Sequence, residues 1–160
     1  MSVEFKDYSI EVKAALDETT IAWLHTWAQE IASTAKRNCG MDGELGPQLR
    51  GSYRANVDSG GGTATIGTPL EAGYWEEFGT GEYAAHGDGR KGWWVYKDGY
   101  TGSGGKRLTE EEAKAMAAAD PTVHATNGRR PGYTLEKAFK VNGPKAVADL
   151  QKKLNKRLGT

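Results

Sequence analysis

Residues 49–67 read LRGSYRANVDSGGGTATIG. Leu49, Gly51, Tyr53, Ala55 and Val57 alternate with Arg50, Ser52, Arg54, Asn56 and Asp58, a period of two that sends apolar and polar side chains to opposite faces of a sheet. A strand is therefore expected over residues 49–58. Ser59 and the three glycines after it supply the positive-φ positions of a reversal, and TATIG at 63–67 fits the return strand of a hairpin.

Upstream of this hairpin, Leu24, Ala28, Ile31 and Ala35 recur at helical spacing with Trp23 and Trp27 beside them. The pattern predicts a helix over residues 9–39, with Gly40 as a left-handed C-cap. DETT at 17–20 offers either an internal break or an N-cap. Downstream, Leu70, Tyr74 and Phe78 are four apart after Pro69, as on one face of a short helix ended by Gly79. GWWVYKDGY at 92–100 reads as a strand and TVHAT at 122–126 as its partner. Between them, at 102–121, lies an insertion that opens on GSGG, a composition expected to be mobile. Thr109 and Glu112 then form a T-x-x-E capping box before an Ala-rich run, which predicts a helix over 109–119 ended before Pro121. Val147, Leu150, Leu154 and Leu158 predict a second amphipathic helix, with Pro144 in its first turn.

This order of elements implies an α+β fold: a small, mainly antiparallel sheet packed by a long N-terminal helix and a C-terminal helix, with a long hairpin and loop insertion. The 160 residues suit a single domain spanning 1–160. Lys plus Arg and Asp plus Glu both total 21, so no global attraction to nucleic acid or anionic lipid is built in. No apolar run approaches the ~18 residues that a membrane span requires. MSVEFKDYSI does not read as a secretory signal, so a cytoplasmic place of synthesis is expected. Cys39 is the single cysteine and reads as a small buried apolar residue at a helix end.

Reactive chemistry is sparse. His25, His86 and His124 are far apart and lack the spacing of zinc ligands. Glu76 and Glu77 are adjacent in a helix, so their side chains diverge by about 100° and read as solvated or intersubunit groups rather than a catalytic pair. The glycine-rich segment at 79–92, with Arg90 and Lys91, reads as a loop in preference to an anion cradle. Lys152, Lys153, Lys156 and Arg157 complement a helix C-terminus before they suggest contact with DNA. No catalytic set, cofactor or metal site is expected. The aromatics outside the long helices, from Tyr53 and Tyr74 through Tyr100 to Tyr133, exceed what a core of this size takes up, which points to association with other proteins.

Four segments in order, LRGSY at 49–53, GYWEEFGTGEYA at 73–84, GRKGWWVY at 89–96 and TNGRRPGYTLEKAF at 126–139, resemble the landmarks of the small head-tail joining (tail-completion, or neck) family of siphophages. Ala35-Lys36 and Asp42-Gly43 stand where that family has an Ala-Lys helix end and an acidic, Gly-containing loop. Its Tyr-x-x-x-Phe-Gly-Thr box, with Ala or Trp after the Tyr and Glu before the Phe, is matched by Tyr74, Trp75, Glu77, Phe78, Gly79 and Thr80. Pro131, Tyr133, Leu135 and Ala138 match its Pro-x-Phe-Leu-x-x-Ala element, with Tyr for Phe. Two features depart from the family: Pro47 follows the acidic segment instead of preceding it, and the 102–121 insertion is longer than a minimal member needs.

The resemblance implies a non-enzymatic structural protein of the virion, a subunit of a six-membered homo-oligomeric ring at the head-tail neck. It would meet head-closure or portal-associated proteins and tail-tube or terminator proteins, with DNA passing as cargo and no membrane involved. The implied contact residues are Tyr74, Trp75, Glu77, Phe78, Gly79, Thr80, Tyr83, Trp93, Trp94, Tyr96, Arg129 and Arg130. Two other readings remain: a peptide- or glycan-binding module using exposed aromatics such as Trp93 and Trp94, and a small hydrolase or nuclease using Glu77, His86, Asp88 and His124.

Overall fold

A computed structural model describes the backbone of residues 9–41, 45–97 and 106–159, and side chains from residue 17 onward. The chain divides into two compact units. One comprises Met1–Asn38, Arg50–Pro69 and Leu135–Thr160, and the other Cys39–Leu49 and Leu70–Thr134.

The first unit is organised by α1 (Ser9–Asn38), which runs through residues 17–20 without a break. Its inward stripe is Ala28, Ile31, Ala32 and Ala35, all buried. Against it pack β1 (Arg54–Asp58) and β2 (Thr63–Gly67), an antiparallel hairpin in which Arg54 faces Gly67 and Asp58 faces Thr63. Along β1, Ala55 and Val57 are half-buried and their neighbours exposed, the expected alternation. The Asp58 carboxylate accepts the amides of Gly60 and Gly61 at 3.0 and 3.1 Å, and Gly62 takes a positive φ of 62°. The reversal is closed at its base by a 2.5 Å hydroxyl contact between Ser52 and Thr68.

The expected strand begins five residues too early. Residues 49–52 belong to a helix, α2 (Leu45–Ser52). Leu45 and Leu49 are one turn apart, Leu49 is buried, and Pro47 sits in the first turn, where amides have no intrahelical partner to lose. The apparent period of two across 49–53 depended on counting Gly51 as an apolar position.

The C-terminal helix, α5 (Thr134–Leu158), also begins well before its predicted start, and Pro144 lies in its interior. An interior proline costs a helix about 3 kcal/mol. The helix persists because both sides of Pro144 are fastened to α1: Asn142 Nδ2 donates to Thr34 Oγ1 at 3.0 Å, and Trp23 Nε1 donates to the Ala146 carbonyl at 2.7 Å. Trp27 Nε1 reaches Asp149 Oδ2 at 2.8 Å. Lys153 first, and then this indole, hold the Asp149 carboxyl below the usual carboxylate range. The residues that α5 buries most deeply are Ala138, Asn142 and Ala146; of the expected stripe, Leu150 and Leu154 are half-buried and Val147 and Leu158 are exposed. Small residues on both helices permit the close approach that these side-chain-to-backbone bonds require.

The second unit contains α3 (Ala72–Phe78), a 3-10 turn at Gly81–Tyr83, β3 (Trp94–Lys97), α4 (Glu110–Ala119) and β4 (Val123–Thr126). β3 and β4 pair antiparallel with Trp94 opposite Thr126, as anticipated, and α4 covers them. α4 carries the full capping box: Thr109 Oγ1 accepts from the Glu112 amide at 3.2 Å and Glu112 Oε2 from the Thr109 amide at 2.8 Å. Residues 98–100 of the expected strand and 102–105 of the insertion lie outside the described residues. The class is α+β, with the described strands divided into two separate two-stranded ribbons, each covered by its own helix. Cys39 is buried, as anticipated. Gly40 does not adopt the left-handed conformation of a C-cap, because its amide is drawn to a carboxylate of α3.

Two outcomes follow from this packing. Ala138→Leu should destabilise the fold by about 1–3 kcal/mol through overpacking against α1, whereas Val147→Ser should change it by less than about 0.5 kcal/mol, both read from urea unfolding midpoints. Hydrogen bonds from Thr122 Oγ1 and N–H, and then Lys97, hold the Asp120 carboxyl down from 3.8 to about 2. Because the folded value is the lower one, this stabilisation is complete above pH 3.8 and disappears as pH falls through about 2. An NMR titration of the Asp120 carboxyl should have its midpoint near 2, and a midpoint near 3.8 would contradict the geometry.

Candidate functional site

The Tyr74 to Thr80 box lies on α3 and the turn after it. A two-turn helix divides its residues at 100° per position. Ala72, Gly73, Glu76 and Glu77 fall on the inner side and are buried, while Tyr74 and Trp75 are 52% and 39% exposed. Of the apolar residues expected on one face of this helix, Leu70 and Tyr74 are exposed and Phe78 is half-buried. Glu76 and Glu77, read as solvated or intersubunit groups, are turned inward.

The reason is a strap of chain after β4, residues 127–134. Glu76, 1% exposed, spends its carboxylate on three donors: the Gly40 amide at 2.9 Å, Thr134 Oγ1 at 3.2 Å and Arg129 Nη2 at 2.6 Å. A buried carboxylate is tolerated only when charge and lone pairs are matched in this way. The backbone follows suit. The Gly132 amide donates to the Glu76 carbonyl at 2.6 Å and the Tyr133 amide to the Glu77 carbonyl at 3.3 Å. Thr80 grips Arg129 twice, its amide donating to the Arg129 carbonyl at 2.9 Å and its Oγ1 accepting the Arg129 amide at 3.0 Å.

Two glycines make this approach possible. A Cβ on Gly132 would lie 2.6 Å from Glu76 Oε1. One on Gly79, whose φ is 73°, would lie 2.6 Å from the Arg129 carbonyl oxygen. Tyr133 has a φ of 50°, the only positive value among the described non-glycine residues, and its ring is exposed. Bulky residues rarely occupy that region.

The outer side of the box is aromatic. Phe78 stacks between Tyr74 and His86, with ring centroids 4.9 and 4.8 Å away. Arg130 lies 4.8 Å over the Tyr83 ring. The structure thus joins Tyr74 with Phe78, Gly79 and Thr80 with Arg129, and Tyr83 with Arg130. Trp93, Trp94 and Tyr96 form a separate group at β3. Lys114 sits 5.5 Å from the Trp93 ring centroid and Arg90 5.1 Å from that of Trp94, so cations already occupy a face of each indole that a sugar would need. Tyr96 stacks on His124 at 5.1 Å and is exposed. The glycine-rich loop spends its amides internally: Glu82 N–H on the Asn127 carbonyl, Ala85 N–H on the Phe78 carbonyl and Gly92 N–H on Glu82 Oε1. Those donors are taken from any anion.

Of the residues assigned to a hydrolase, His86 stacks on Phe78, His124 on Tyr96, Glu77 is buried and Asp88 is exposed. Among the described residues no group of three or more His, Cys, Asp or Glu is placed to hold a metal. Sequence reasoning missed the roles of Glu76, Gly132 and Thr134, because the groups that meet the Glu76 carboxylate lie 36, 53 and 58 positions away in the sequence. Comparison with protein-family models, curated proteins and solved structures finds no match to the chain.

Arg129→Met leaves the Glu76 carboxylate buried without its cation and should cost about 3 kcal/mol. Glu76→Gln, which keeps the shape and loses the charge, should cost about 1–3 kcal/mol. In a double-mutant cycle read by urea denaturation, the two losses should be far from additive; simple additivity would show that the pair is not coupled.

Proposed function

We propose that this chain is a structural protein of a siphophage virion, a subunit of a ring at the head-tail neck that copies of itself, head-closure or portal-associated proteins, and tail-tube or terminator proteins complete. DNA passes through the ring as cargo, and no catalytic step is involved. The observation that carries this reading is the orientation of α3. A helix whose acid is locked inward and whose Tyr74 and Trp75 are held outward on a fixed base is built to be covered by another protein. The same residues form the box on which the resemblance to neck proteins rests. The strained, exposed Tyr133 agrees with this, since folding alone would favour glycine or asparagine at its φ.

Phage particles lacking the gene product should accumulate as DNA-filled heads separate from finished tails when viewed by electron microscopy. Normal tails firmly attached to filled heads would remove the proposal. Tyr74→Ala with Trp75→Ala should leave the protein folded, with thermal unfolding lowered by several degrees at most, since neither ring is buried. The same pair should fail to restore infectivity to the deletion phage.

A further inference from the structure

α5 has two unlike faces. Ala138, Asn142, Ala146 and Asp149 turn toward α1. About a quarter-turn round the helix, Phe139, Val147, Leu150, Leu154 and Leu158 share a second face, with Gly143 in the gap. Phe139, Val147 and Leu158 are 45%, 63% and 53% exposed. Leu150 and Leu154 are half-buried between them, and large apolar side chains left exposed along one side of a helix mark a binding face.

Charge selects the occupant. α5 holds seven cations and two anions, a net charge of +5. The whole chain has 21 of each, so the remaining residues hold 14 cations and 19 anions, a net of −5. Two α5 faces meeting about a twofold axis would bring +5 against +5, so the face is built against a different, acidic surface. α4 offers one. Glu110, Glu111 and Glu112 crowd its first turn, and Ala115, Met116 and Ala119 are exposed along it, low enough for another helix to approach closely.

We infer that α5, a basic helix, docks its apolar face, edged by Lys140 and Arg157, on α4 of the next copy. The choice of a second copy as occupant rests on the ring reading given above. Because the two docking surfaces differ, the contact is heterologous: it repeats from copy to copy and yields a closed ring or an open chain instead of a twofold dimer.

The test is light scattering on the full chain over a range of concentrations. Mass should rise above that of the monomer, and added salt should oppose the rise. Val147→Asp should weaken self-association by about tenfold or more, with an unchanged far-ultraviolet circular dichroism spectrum. Lys140→Glu and Glu111→Arg should each weaken it, and a mixture of those two variants should recover association, the signature of unlike surfaces meeting. Wild-type mass in folded Val147→Asp would overturn the α5 contact while leaving a ring built through other surfaces in place. A wild-type chain that stays monomeric throughout would also overturn it, and the particle assay would still decide the neck reading. Binding of wild type, but not Val147→Asp, to vesicles of anionic phospholipid without self-association would assign the face to membrane instead.

Discussion

The Glu76 carboxylate, removed from water on α3, obliges three distant pieces of chain to come to it. Its donors are Gly40, Arg129 and Thr134, at separations of 36, 53 and 58 residues. A buried charge is costly unless every partner is present, so the segment after α1, the strap after β4 and the start of α5 are fixed together. The identities of neighbouring residues follow from that constraint. Gly132 and Gly79 must lack side chains because the strap passes within contact of the box, and Thr80 supplies both a donor and an acceptor to Arg129. With one side of a two-turn helix taken up by the acid and by small residues, Tyr74 and Trp75 have only the outside left.

A related division governs the first unit. α1 and α5 approach through alanines, and their specificity comes from two indole N–H groups and an asparagine that α1 and α5 exchange. Such an interface leaves no room for leucine. Phe139, Val147 and Leu158 of α5 are therefore left exposed, and Leu150 and Leu154 only half-covered. On α3 and α5 alike the most deeply buried positions are small or polar, while Tyr74, Trp75, Phe139 and Val147 lie exposed.

Signals confined to a few neighbouring residues were legible in the sequence. The capping box at Thr109 and Glu112, the hairpin over 54–67 and the pairing of 94–97 with 123–126 were all anticipated, because turn chemistry, capping and alternation act within a single element. The errors arose where direction had to be assigned. Periodicity identified a real stripe on α5 and a real stripe on α3, yet it cannot say which way a stripe faces, and in both cases the inward side was the one with alanine, asparagine or glutamate. The 49–52 segment was misread because alternation over five residues with a glycine among them is compatible with one helical turn. Glu76 was beyond reach since its partners are remote in sequence, and an isolated glutamate gives no sign of the arginine it will meet.

The path of the chain has a consequence for biosynthesis. α1 is fastened to α5 by bonds spanning 108, 122 and 123 residues, and in sequence every residue of the second unit comes after α1 and before Leu135. During translation α1 waits for its partner until almost all of the chain has been made, while the contacts of the inserted unit are available earlier. Completion of the first unit is thus gated by the arrival of α5, and a nascent polypeptide that still lacks this helix holds α1 against the β1–β2 hairpin alone.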